Sequence, residues 1–439
     1  MKRICFIDNF HRSEIFLKLS NKFSNLNNIY WITANKFFYI KNKEKFKKNI
    51  LYIDQFKAEQ SNFFNKEKKI NEIIFSDRIL KNNKKSIEIF SNIENQLYNF
   101  IKKNKIKIII GEFTWGHELL IHRILKNNPK LLCKYYNIQP LRIPYNRSAF
   151  FKNEKQNQLL LLPKIKKNNT EVKFSIKQYK KIIKNKETYK KLYFLKIFKK
   201  NYFHKNDIFY ISKFEKIKLQ IKIIINSFLY KKLVVRKNEI IKKNNKIKVA
   251  LFALQKQPEA GVDVKSRYLE NASQLIENIY KTLPSNWILC IKEHKVAIGL
   301  RNIFFYKQFT KKPNIFFLHE DFDISKKIKN FDLVITQAGT VAFEAALKNI
   351  TSMTFADCFF NKLKNCFKIN NFDLEKCTNI EELISVLGNK QKKKLDPKKF
   401  SRYLSKRSFE GIVSDSETDP DVLNKNNIDK IYENIKSIL

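Results

Sequence analysis

Four short apolar runs punctuate the second half of the chain, at residues 247–253 and within WILCIKEH, NIFFLHED and FDLVITQAG, each separated from the next by enough residues for a crossover helix. Runs spaced in this way predict parallel strands joined by helices. Each run also finishes in chemistry. The first leads to Gln257-Pro258-Glu259, the second to Lys292-Glu293-His294, the third to His319-Glu320-Asp321 and the fourth to Gln337-Ala338-Gly339-Thr340. Taken singly, each ending has an ordinary reading: a terminal His is more often capped or solvated than a ligand, and Gly-Thr before a helix is usually a turn plus an N-cap. Four of them on one edge of one sheet read as a binding site, because ligands of open parallel sheets sit at the carboxyl ends of the strands.

The first half repeats the pattern less regularly. Strands are expected at residues 3–8, 29–33 and 105–110, the last breaking at Gly111 before a helical periodicity over 118–125, which is half of a βαβ unit. NIQPLRIPYNRSAFF, with two prolines and no periodicity, reads as a loop. Between about 152 and 245 the chain is rich in Lys, Tyr and Phe and poor in Gly, as a helical insertion would be. The expected fold class is α/β, with a Rossmann-like parallel sheet in the second half and a helical insertion between the halves. The expected divisions are 1–155; 156–245, the Lys-rich insertion; 246–390, which holds the four regular strands; and 391–439, C-terminal helices.

Length and charge agree with a globular two-domain chain. At 439 residues and 43% hydrophobic content there is ample material for two cores. The formal charge of +47 has two readings, an anionic partner or an AT-rich genome, since Lys far outnumbers Arg and is spread along the whole chain. Base readout would call for clustered Arg in a recognisable module, so no specific nucleic-acid partner is expected. Peripheral contact with an anionic membrane through a basic amphipathic helix of the insertion is an open alternative to a solvated helix packed by its aromatic stripe. Six scattered cysteines without a CxxC pair, a first stretch lacking the apolar core of a signal peptide, and no run of 18 uncharged apolar residues together predict a cytoplasmic protein, soluble or peripheral at the inner face of the cytoplasmic membrane.

Within VITQAGTVAFEAAL a strand-like run stops at Gly339-Thr340 and a helix-like run begins. A helix starting there directs unpaired N–H groups and the positive end of its dipole over the strand ends. Glycine admits close approach, the Thr340 hydroxyl adds a donor, and the whole suits a phosphate or diphosphate. Glu344, one turn in, is placed either to accept from a ribose hydroxyl pair or to stand as an ordinary helix residue. The stretch is neither a Walker A loop nor a dinucleotide fingerprint, because the required glycines are missing. A phosphate held by one helix start beside a strand-end histidine points to a nucleotide-sugar donor.

FALQKQPEAGVD, LPSNWILCIKEHK, RNIFFYKQF, KPNIFFLHED and DLVITQAGTVAFEAALKN, in that order over about residues 247–350, resemble the GT-B glycosyltransferases of bacterial capsule and surface-polysaccharide synthesis, including relatives that transfer Kdo or other acidic sugars from CMP-linked donors. GEFTWGHELL and IPYNRSAFF are similar to that family's N-terminal half. The resemblance implies a GT-B-like fold, two Rossmann-like domains whose parallel sheets face a cleft, with 1–155 as the Rossmann-like acceptor domain and 246–390 as the Rossmann-like nucleotide-sugar donor domain. It also implies metal-independent transfer with no cofactor, from a CMP- or UDP-linked donor to a surface glycan or a lipid-linked acceptor. By position it puts Lys292 and His294 at the donor phosphate, Gly339 and Thr340 at the helix-end anion site, Glu344 at the ribose, and Gln257 and Glu259 near the sugar or its phosphate. One departure is that the family's proline after the histidine is Lys295 here, which frees the loop. The candidate bases are Glu112, then His117, then Asp8; in a retaining reaction one of the carboxylates would be a nucleophile instead. Arg147 would meet an acidic acceptor or form a structural ion pair. Two other readings remain: a GT-B-shaped sugar-nucleotide 2-epimerase, and a non-enzymatic basic protein that binds RNA or membrane.

Overall fold

The computed structural model describes residues 2–23, 25–57, 68–163, 171–174, 203–237, 247–389, 394–417 and 419–439. The chain divides into two compact units, one made of 1–154, 158–211 and 401–439, the other of 155–157 and 212–400.

In the first unit, strands β1 (Ile4–Ile7), β2 (Ile29–Thr33), β3 (Ile50–Tyr52), β4 (Ile108–Gly111), β5 (Lys134–Pro140) and β6 (Arg147–Phe151) join a late strand (Phe409–Glu410) in one sheet. The order is late strand–β6–β5–β4–β1–β2–β3, with β5 through β3 parallel and β6 antiparallel to both its neighbours. The point at which connections change direction lies between β1 and β4. Residues 137–151, expected to be a loop, instead form most of a hairpin. Pro140 occupies the last position of β5 and Pro144 lies in the connection, so neither interrupts the ladder. The apolar face of β1, Ile4 and Phe6, meets Phe16, Leu19 and Trp31, and the helix Lys425–Ile438 completes this core with Ile428, Ile431 and Ile435. Spacing of three and four residues puts those three on one face of that helix, which is why the last stretch of chain returns to the first sheet.

In the second unit the described residues form a sheet of seven parallel strands. These are β7 (Arg236–Lys237), β8 (Lys248–Ala253), β9 (Trp287–Lys292), β10 (Ile315–Leu318), β11 (Leu333–Thr336), β12 (Thr351–Thr354) and β13 (Cys366–Lys368), in the order β13-β12-β11-β8-β9-β10-β7. The late strand of the first unit is therefore β14. The four expected strands are all present; β7, β12 and β13 are additional, each too short or too mixed to show as an apolar run. The continuous apolar character of β8 has a physical cause. Ala250 and Phe252 face one core with Leu289, Ile291, Leu333 and Ile335, while Val249, Leu251 and Ala253 face another with Cys290 and Val334. Of the expected insertion, the structure describes a helix, Lys213–Leu233, and β7; 164–170, 175–202 and 238–246 lie outside the described residues.

Candidate functional site

The strands of the second sheet end in register. Leu318 pairs with Lys292, Lys292 with Ala253, Ala253 with Thr336, and Thr336 with Thr354, so the segments that follow them leave from one straight edge. The switch point lies between β8 and β11, where a ligand of such a sheet belongs.

Three of those segments are tied together by one chain of hydrogen bonds. Gln255, just past β8, accepts through its side chain from the Ala338 N–H, and its backbone carbonyl accepts from Arg301 Nη2 at 2.5 Å. Arg301 Nη1 in turn holds both oxygens of the Glu293 carboxylate, at 2.6 and 2.7 Å, and Glu293 Oε1 accepts from the His294 N–H at 2.7 Å. Tyr306 donates to the same carboxylate at 2.7 Å. A buried carboxylate with this many donors is well compensated for its desolvation. The loop that lacks the family's proline is thereby held by hydrogen bonds. Lys295 also pairs with Asp321 at 2.8 Å, though exposure limits what that contact contributes.

His294 itself is exposed at this edge, its Nδ1 accepting from the Val296 N–H at 3.2 Å. Its pKa lies below the ordinary value because neighbouring protein desolvates it, with the charges of Glu259 and Glu293 opposing and those of Lys292 and Lys256 assisting. Those neighbours show that the loops after β8 and β9 converge. Lys292 is half-buried and its ammonium donates to the carbonyls of Glu320 and Glu293, at 3.1 and 3.4 Å; desolvation lowers its pKa as well. Glu259 is exposed, its N–H donating to Asp263, while Gln257 is half-buried and precedes Pro258 in a cis peptide.

The helix Thr340–Leu347 starts where expected, with Gly339 as its cap residue and no side chain capping it. Residues 338–341 are all partly exposed. Gly339 has an ordinary φ of −76°, so its value is steric: a Cβ there would stand 2.8 Å from Thr336 Oγ1, which is committed to the Ala253 carbonyl at 2.9 Å. Glu344 is buried, and Ser325 donates to it at 2.6 Å.

On the first sheet, Asp8 and Glu112 follow β1 and β4 at the switch point and are both buried. Asp8 accepts from Ser13, from Thr33 at 2.5 Å and from the Phe10 N–H at 3.3 Å; burial nevertheless raises its pKa to about 6. Glu112 is ion-paired with Arg12, and burial raises it to about 7 against that pairing. His117 is fully buried, neither ring nitrogen has a hydrogen-bond partner, and the Phe209 ring lies 5.7 Å away edge-on; desolvation lowers its pKa. Arg147 lies on β6, its Nε donating to Ser408 Oγ at 2.9 Å and its Nη2 to the Ser408 carbonyl at 2.5 Å. It fastens β14 to the sheet.

Three residues of these edges are not conspicuous in the sequence. Gln255 and Arg301 carry the network, but a Gln and an Arg 46 positions apart have no shared motif. His11 stands four residues past β1 in DNFHRSE, its side chain 60% exposed and Nδ1 3.8 Å from Asp415. The strand-end position of His11 was readable; its partner, 404 residues further on, was not. Among the described residues no group of three or more His, Cys, Asp or Glu is placed to hold a metal ion.

No protein-family model matches the chain, and no curated protein matches it by sequence. Among solved structures it is similar to KpsC, beta Kdo 2,7 transferase, of Thermosulfurimonas dismutans, at 9% identity and a TM-score of 0.36, with 100% of this chain and 99% of that chain covered. The beta Kdo 2,4 transferase structure of KpsC from the same organism aligns at 9% identity and a TM-score of 0.34, over 70% of this chain and 82% of that one. A Methanocaldococcus jannaschii UDP-GlcNAc 2-epimerase in complex with UDP-GlcNAc and UDP aligns at 13% identity and a TM-score of 0.31, over 92% of this chain and 98% of that one. These likenesses are loose, and the fold stands on its own two strand orders.

Proposed function

We propose that the protein is a glycosyltransferase that takes a sugar from a CMP- or UDP-linked donor, an acidic sugar such as Kdo fitting the motif resemblance, and passes it to a hydroxyl of a glycan or lipid-linked acceptor. The observation that carries the reading is the Ala338–Gln255–Arg301–Glu293–His294 chain, which fixes an uncapped helix start and a strand-end histidine on one sheet edge. Preorganised N–H donors and a basic side chain are what a departing nucleotide phosphate requires.

In this reading the donor phosphate meets the N–H groups around Gly339 and Thr340, with His294 and the positive charge of Lys292 beside it. Glu344, oriented by Ser325, takes the ribose, and Gln257 and Glu259 border the sugar. The bond from the sugar's anomeric carbon to phosphate oxygen breaks, the bond to the acceptor oxygen forms, and the acceptor's proton passes to a base. Glu112 and Asp8 have pKa values in a suitable range, but both are buried among structural partners.

The test is a thermal-shift panel of CMP, UDP and other nucleotides on the wild type and on His294→Ala and Thr340→Ala, followed by turnover with the donor that binds. A rise in melting temperature with one nucleotide, reduced in both variants, is expected, as is transfer of the sugar once a glycan or lipid-linked acceptor is supplied. No shift with any nucleotide, or conversion of the donor with no acceptor present, overturns the reading, the latter in favour of an epimerase.

A further inference from the structure

The helix Lys213–Leu233 carries large apolar side chains on the side away from its own unit. Phe214, Ile217, Ile221, Ile224, Ile225 and Phe228 recur at three- and four-residue spacing, which makes them one stripe, and they are 76%, 50%, 53%, 54%, 52% and 61% exposed. The roughly opposite face is the packed one. There Tyr230 is buried against Tyr306 with ring centroids 4.6 Å apart, and Asn226 and Ser227 donate to the carbonyls of Gly299 and Ile298, each at 3.3 Å. A soluble surface helix has the reverse pattern, apolar inward and polar outward.

The stripe is bordered by cations. Lys213, Lys218, Lys222, Lys231 and Lys232 are exposed, and the one carboxylate of the helix, Glu215, is taken up by Ser212 in the cap. We propose that this helix lies flat on an anionic lipid bilayer, the stripe at the level of the acyl chains and the lysines against lipid phosphates. Twenty-one residues give a contact about 32 Å long. Charge selects this occupant over others. A second copy of a chain of charge +47 would set lysine against lysine, whereas anionic lipid neutralises them, and RNA would use the lysines while leaving six large apolar groups in water. Among the described residues no helix is long and apolar enough to cross a membrane, so the contact proposed is with the surface. The inference rests on exposure and charge alone and does not depend on the sugar-transfer reading.

The experiment is flotation of the full-length protein with phosphatidylcholine vesicles, with and without phosphatidylglycerol, using wild type, the double variant Ile221→Glu/Ile225→Glu, and Lys218→Gln/Lys222→Gln. Wild type is expected to float with the phosphatidylglycerol vesicles. The apolar double variant should partition about tenfold less or worse at unchanged melting temperature, since both positions are exposed. The lysine variant should lose binding in a salt-dependent way. Failure of the wild type to float, or full retention of binding by the apolar double variant, overturns the proposal; the second result would assign the attraction to net charge alone. So would a dimer seen by light scattering without lipid and abolished by Ile221→Glu/Ile225→Glu, which would assign the stripe to a second copy.

Discussion

Arg301 grips both oxygens of the Glu293 carboxylate, at 2.6 and 2.7 Å, with side chains 12% and 0% exposed. Glu293 thus anchors the loop on which His294 sits. Replacing it with Ala leaves a nearly buried guanidinium uncompensated, and a loss of about 3–5 kcal/mol is expected in urea unfolding. Nucleotide-induced stabilisation should fall with it, although Glu293 itself is not placed on the donor.

Gly339→Ala is expected to destabilise by about 1–3 kcal/mol, because its Cβ would crowd Thr336 Oγ1, which is already hydrogen-bonded to Ala253. Removing that hydroxyl and methyl with Thr336→Ala should relieve the clash. The double variant is therefore expected to lose less than the sum of the single losses, a coupling readable from a double-mutant cycle in urea.

Asp8 gives a pH signature of unusual sign for a carboxylate. Its pKa rises from 3.8 to about 6 on burial, so the folded protein holds the proton more tightly than the unfolded chain. The stability linked to it is fully present below pH 3.8 and is lost as pH climbs through about 6. An uncharged Asn escapes that loss. Relative to wild type, Asp8→Asn should gain up to about 3 kcal/mol between the two ends of this window, measured as the difference in unfolding free energy against pH.

Arg147→Lys is expected to lower stability by about 1.5–3 kcal/mol, because a Lys cannot reproduce the paired contacts to the Ser408 hydroxyl and carbonyl. Nucleotide thermal shifts should stay as in the wild type. A change in acceptor KM with unchanged stability would instead return Arg147 to the acceptor role that the sequence suggests.

What the sequence displays follows burial. β8, β9 and β11 are covered on both faces, so their residues read as unbroken apolar runs and their ends are easily located. β5 and β6 carry two prolines in and beside them, and the hydrogen bonds that make them strands come from each other and from β4 and β14, which no local pattern reveals. The helix start at Gly339-Thr340 was legible because a turn residue and a period change coincide there. The Gln255–Arg301–Glu293 chain was not, since each partner is an ordinary polar residue whose meaning comes from a distant one. The same holds for His11 and Asp415.

The return of residues 401–439 to the first unit sets an order of events at the ribosome. β14 and the Ile428, Ile431 and Ile435 side chains that close the first core are translated only after the whole of the second sheet. The opening half of the chain must therefore wait, with Phe16 and Leu19 lacking their final cover, while the parallel sheet behind it is synthesised. A chaperone that binds apolar segments would find its window there, and truncation after residue 400 should trap the nascent first unit in that state.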